Sequence, residues 1–212
     1  MSIEELSLAR ISRIEWAVGI IVTLLIIYFH VTFMLHAGPL WRDEINSIQL
    51  ATMPSLSEMW DSMQYESFPV LSNIVLRLWA STGLGETDSG IRLFGFLVGV
   101  FIIGAVWLNA RIVGYSVPLL SLILFGFSPL SIQVGDYIRP YGLGIFLILM
   151  TFGLIWKVTQ SPTPCHIFAA TVFACLSVQC LYTNAFLLAA ICLGGIAITF
   201  REAMWKRSSL LL

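Results

Sequence analysis

Three short polar groupings in an otherwise apolar chain carry side chains able to do chemistry. The first is Trp41-Arg42-Asp43-Glu44. Adjacent carboxylates such as Asp43 and Glu44 can act as a general base or as hard oxygen ligands for a divalent cation, and both uses stay open. The second grouping is Asp136-Tyr137-Ile138-Arg139-Pro140-Tyr141. An arginine in a tight turn beside tyrosines suits a bidentate grip on a phosphate. The third is Gln179 with Tyr182, Thr183 and Asn184, and His30, His36 and Gln133 fall at similar depth.

Each residue also has an ordinary reading. The two acids can be solvated topology determinants, and Arg139 can snorkel to lipid headgroups. Tyr137, Tyr141 and Tyr182 suit an interfacial aromatic belt. His30 reads as a packed helix histidine, and Gln133 and Gln179 as donors between helices. What sets the groupings apart is their shared position at one membrane face.

That face follows from the elements around them. Of 212 residues, 58% are hydrophobic and 11% charged, and the mean hydropathy is +0.90. Soluble domains carry about 25% charged residues, so the solvent here is lipid. A net charge of −1 offers no basic surface for nucleic acid. Crossing about 30 Å of hydrocarbon takes about 20 apolar residues. Runs of that kind predict about six transmembrane helices, at 16–35, 91–110, 117–134, 140–158, 167–181 and 185–200. The expected fold is an all-α integral membrane module over 1–212, with one long outer loop at 36–90.

Lysines and arginines set the orientation. With the N-terminus cytoplasmic, Arg10, Arg13, Arg111, Lys157, Arg201, Lys206 and Arg207 are inside, against Arg42, Arg77, Arg92 and Arg139 outside. Asp43, Glu44, Glu58, Asp61, Glu66, Glu86, Asp88 and Asp136 are then all outside. The acidic opening (Glu4, Glu5) and the long first apolar run argue against a cleavable signal peptide. Within the outer loop, Val70, Leu71, Ile74, Val75 and Leu78 form one helical stripe, with Ser72, Asn73 and Arg77 opposite. That predicts a short interfacial helix at 69–80, and 44–53 is a second candidate. Cys165, Cys175, Cys180 and Cys192 show neither CxxC spacing nor a nearby histidine, so they read as packing residues.

In order and spacing these motifs resemble the GT-C glycosyltransferases, in particular the protein mannosyltransferase and lipid A aminoarabinose transferase branch. The matching residues are Trp41-Arg42-Asp43-Glu44, Phe68-Pro69, Leu76-Arg77-Leu78-Trp79, Ile91-Arg92-Leu93-Phe94 and Ser128-Pro129 leading to Arg139-Pro140-Tyr141. The resemblance implies inverting sugar transfer from a polyprenyl-phosphate donor to an acceptor on the non-cytoplasmic face, and the expected location is a bacterial inner membrane. It implies Asp43 as base, with Glu44 supporting it directly or through a metal, and Arg139 on the lipid phosphate. Asp136, Tyr141 and Tyr182 are the other expected substrate contacts. The family's histidine before Pro69 is replaced by Ser67-Phe68, and its acid two residues before the arginine is Tyr137. Family enzymes carry further helices, so this chain corresponds to the N-terminal transmembrane module. Two other classes fit the same residues: a catalytically silent subunit of a membrane complex, and a lipid-phosphate carrier without chemistry.

Overall fold

The computed structural model describes residues 3–208, with side chains from 12 to 201. The charges of Arg10, Lys206 and Arg207, which enter the orientation argument, and those of Glu4 and Glu5, which enter the signal-peptide argument, lie outside the described side chains. Among the described residues the fold is entirely helical. The long elements are α1 (Ile3–His36), α5 (Asp88–Val113), α8 (Pro140–Gln160), α9 (Pro164–Cys180) and α10 (Asn184–Ser208). The long connection between α1 and α5 holds α2 (Arg42–Ala51), α3 (Leu56–Ser62) and α4 (Leu71–Ala80), with 3-10 turns at Met63–Tyr65 and Leu84–Glu86. Between α5 and α8 come α6 (Leu119–Ser121), which runs on as a π-helical stretch at Leu122–Gly126, and α7 (Pro129–Asp136).

Four helical segments are long and apolar enough to cross a membrane: Ser12–His36, Asp88–Val113, Pro140–Gln160 and Asn184–Arg201. The expected span at 117–134 is not one helix. Leu119–Gly126 and Pro129–Asp136 meet at 78°, so the two count at most as one broken span. Ser128 stands in extended conformation, as the residue before a proline prefers, and its hydroxyl caps the next helix by accepting from the Ser131 amide at 3.3 Å. The expected span at 167–181 is α9, whose 17 residues rise about 26 Å, short of a full crossing.

α5 is the central strut. α8 packs along it, α9 and α10 pack on α8, and α1 runs antiparallel to α5 on the other side. Helix starts are set by local chemistry: Thr87 and Thr163 cap α5 and α9, and Pro140 and Pro164 occupy first-turn positions. α5 ends at Gly114, whose φ of 104° only glycine adopts without strain. Close approach between helices depends on glycine at several crossings. A Cβ at Gly95 would collide with the Asp136 carbonyl, and one at Gly142 with the Gly135 carbonyl.

The loop differs from expectation in two ways. α3 is an additional helix, started by Ser55, whose hydroxyl accepts from the Glu58 amide at 3.1 Å. α4 presents its polar side to the protein. Asn73 and Leu76 are buried, whereas Ile74 and Leu78 of the apolar stripe point outward, Leu78 being 64% exposed.

Candidate functional site

One end of the bundle is organised by two buried polar pairs, an arginine–glutamate ion pair and a histidine–aspartate hydrogen bond. In the first, Arg92 Nη1 on α5 lies 2.9 Å from Glu44 Oε1 on α2, with side chains 6% and 1% exposed. The other Arg92 nitrogen donates to the carbonyls of Gly38 (3.3 Å) and Pro39 (3.2 Å). Glu44 additionally accepts from the Ile138 amide at 3.1 Å and from the Trp41 amide at 2.8 Å. One carboxylate thereby joins α2, α5 and the turn between α7 and α8. In the second pair, His30 Nδ1 of α1 lies 2.7 and 2.8 Å from the two oxygens of Asp136 at the end of α7. Both residues are buried.

Between these pairs the chain delivers Arg139. Its Nη1 donates to the Asp43 carbonyl at 3.3 Å and to Ser47 Oγ at 3.2 Å. Its guanidinium stacks 4.7 Å from the centre of the Phe68 ring, and Phe68 meets Tyr141 edge-on at 5.3 Å. Every partner is neutral, so among the described residues no carboxylate offsets this half-buried cation. Beside it runs a crevice lined by Ser47, Ser72, Asn73, Phe94, Ile138 and Arg139, with room for about one water. Ser72 Oγ is buried there without a hydrogen-bond partner.

The expected site residues therefore divide. Asp43, Arg139 and Tyr141 come together, although 96 positions separate the first two. Asp43 itself is exposed. Glu44 does not share its surroundings. Adjacent helix positions diverge by about 100°, so Asp43 faces out while Glu44 turns inward and has both oxygens engaged. The adjacency that suggested a carboxylate pair for a divalent cation thus places the two groups on different faces. No three His, Cys, Asp or Glu side chains converge as a metal site among the described residues. Asp136, expected on substrate, is instead buried against His30. Tyr182 is exposed in the α9–α10 connection and makes no hydrogen bond or ring contact with the Arg139 cluster among the described residues.

Other side chains resolve more simply. Gln133 bonds Tyr137 within its own turn rather than a neighbouring helix. Asn184 fastens α10 to α8 and α9 through Gly144 O (2.9 Å) and Ser177 Oγ (2.9 Å). Cys180 is packed inside, whereas Cys165, Cys175 and Cys192 face outward. Sequence reasoning missed the Glu44–Arg92 and His30–Asp136 partnerships. The available signal was that an ionisable side chain in a membrane-spanning segment needs a named partner. No protein-family model, curated protein or solved structure matches the chain.

Proposed function

We infer that the chain is a GT-C-like membrane glycosyltransferase module, acting on a polyprenyl-phosphate sugar at the non-cytoplasmic face. What carries the reading is that the uncompensated Arg139 guanidinium rests on the backbone of Asp43 itself. A cation free to take an anion and an outward carboxylate are thereby neighbours. In the proposed step, Asp43 takes the proton of an acceptor hydroxyl. The hydroxyl oxygen attacks the anomeric carbon from the side opposite the phosphate, forming the new glycosidic bond. The bond from that carbon to the phosphate oxygen breaks, and polyprenyl phosphate leaves with the electron pair, its charge held by Arg139. The anomeric configuration inverts, and the proton passes from Asp43 to water.

The reading includes six membrane-crossing segments, with α6–α7 as a broken span and α9 as a short one, and a cytoplasmic N-terminus. α2 and α4 lie in the outer interface. Support for this placement is the outward apolar stripe of α4, with Trp41, Trp60 and Tyr65 exposed on the same loop. The host membrane is the bacterial inner membrane.

The test is transfer from a polyprenyl-phosphate sugar by purified protein in nanodiscs. Asp43→Asn is expected to lower the rate by about 10² to 10⁴, the usual contribution of a general base. Arg139→Ala is expected to raise the donor concentration required. Full activity in both variants would remove the assignment.

A second reading is favoured by one observation: of the three expected site acids, Glu44 is locked to Arg92 and Asp136 is buried against His30, leaving only Asp43 free. It is a catalytically silent accessory subunit. Under that reading, mild-detergent purification yields a stoichiometric membrane partner whose activity survives Asp43→Asn.

A further inference from the structure

The buried His30–Asp136 pair plays no part in the proposed chemistry, yet it is built with some care. Both carboxylate oxygens converge on one ring nitrogen. A Cβ at Gly99 would strike the Asp136 carboxylate and the His30 ring, and one at Gly95 would strike the Asp136 carbonyl. α5 thus has glycines at both points where Asp136 crosses it. The cavity beside His30 is lined mainly by apolar groups, Ile26 on α1, Ile102 and Ile103 on α5, Phe125 on the π-helical stretch and Ile132 on α7, with Ser131 the one hydroxyl. A polar pair in such surroundings is costly, and apolar side chains could join α1 to α7 as well.

What the pair adds is direction. Asp136 is the last residue of α7, and only Tyr137 and Ile138 separate it from Arg139. Over those residues the chain is short and restrained. The Tyr137 amide donates to Gln133 O at 3.0 Å, the Ile138 amide to Glu44, and the Arg139 amide to Tyr137 O at 2.7 Å. Pro140 then begins α8 with a fixed φ. Moving the α7 end by an ångström moves the root of Arg139 by a similar amount, because no slack lies between.

We propose that His30 and Asp136 are positioning residues for Arg139, holding the end of α7 so that the guanidinium reaches Ser47 and the Asp43 carbonyl. This rests on the reading of Arg139 as the phosphate-holding group. The pair touches no substrate and acts only through the turn at 137–139.

The experiment compares wild type, His30→Leu, His30→Asn, Arg139→Ala and the His30→Leu/Arg139→Ala double variant in nanodiscs. The asparagine amide nitrogen stands about where His30 Nδ1 stands and can still donate to Asp136. Two quantities are measured: backbone hydrogen exchange over 137–139, and the apparent affinity for polyprenyl phosphate by native mass spectrometry. His30→Leu is expected to speed exchange about tenfold and weaken lipid-phosphate binding about tenfold. His30→Asn recovers most of both. In the double variant, binding is no weaker than in Arg139→Ala alone, because the pair works only through Arg139.

Unchanged exchange at 137–139 in a folded His30→Leu protein would overturn the proposal. So would losses that simply multiply in the double variant, since that is what a merely structural role gives. If wild type binds no lipid phosphate, the transferase reading falls on its own, and the exchange measurement still decides whether the pair holds the turn.

Discussion

The two ends of the helix bundle solve the same packing problem with different chemistry. At one end α1 meets α5 through a Trp16–Trp107 stack at 5.4 Å, with Arg111 lying 5.2 Å over the Trp16 ring. Trp107 Nε1 donates to Thr23 Oγ1 at 2.9 Å, and Ile26, Ile103 and Leu122 fill the space between. α5 is tied to α8 by Asn109 donating to Leu149 O at 2.9 Å. At the other end the Glu44–Arg92 ion pair joins α2 to α5, and the His30–Asp136 hydrogen bonds join α1 to α7. Aromatic and amide contacts suffice to close the bundle, so these buried polar pairs are not needed for closure alone. They fix α2 and the end of α7 against the long helices, which isotropic apolar packing does poorly.

That contrast can be broken in order of expected effect. The largest is at Glu44. Arg92→Leu leaves its carboxylate buried and unpaired, and should cost about 3 to 5 kcal/mol in unfolding titrations in bicelles. Adding Glu44→Gln should return much of that loss; if the double variant is as unstable as the sum of the singles, the pair is not one unit. Next is Gly99→Ala, which drives a methyl group into the His30–Asp136 pair. A cost of about 1 to 3 kcal/mol is expected, with a shift of α5 away from α7 visible in a structure of the variant.

The Trp16–Trp107 end should be milder. Thr23→Val removes the acceptor of the Trp107 indole and should cost about 0.6 to 1 kcal/mol, the usual worth of a hydrogen bond between membrane helices. The smallest stability effect is expected at Asp43. Its carboxylate is exposed, so Asp43→Asn should leave unfolding within about 0.5 kcal/mol of wild type while transfer fails. A large destabilisation there would place Asp43 among the structural residues, with Glu44.

Much of the architecture was legible because lipid imposes a length. Four of the expected spans stand close to their sequence limits, and the Asp43 and Arg139 groupings lie in contact. The break at Ser128–Pro129 was also written in the sequence, as a capping serine followed by a proline, but apolar length concealed it. Ser55 and Glu58 likewise carry the spacing of a helix start and mark α3. Other features were not readable. An apolar stripe on α4 does not say whether it faces protein or lipid, since both are apolar. Nor does the adjacency of Asp43 and Glu44 say which turns inward. That depends on Arg92, 48 positions away. Residue type found Asp43 and Arg139, but only tertiary structure shows that one rests on the other.

Arg77 extends the same logic to the far end of α2. Its guanidinium donates to the Ala51 carbonyl at 3.0 Å and to the Met53 carbonyl at 2.6 Å, filling acceptors left open where the helix stops. Arg92 grips the first turn of that helix through Glu44. α2 is therefore a short beam clamped at both ends by arginines from two different helices, and such a beam resists torsion about its own axis. Exchanging the exposures of Asp43 and Glu44 would require a roll of about 100°. Either clamp alone opposes that roll, and together they keep the free carboxylate facing outward through every thermal fluctuation that leaves both clamps closed.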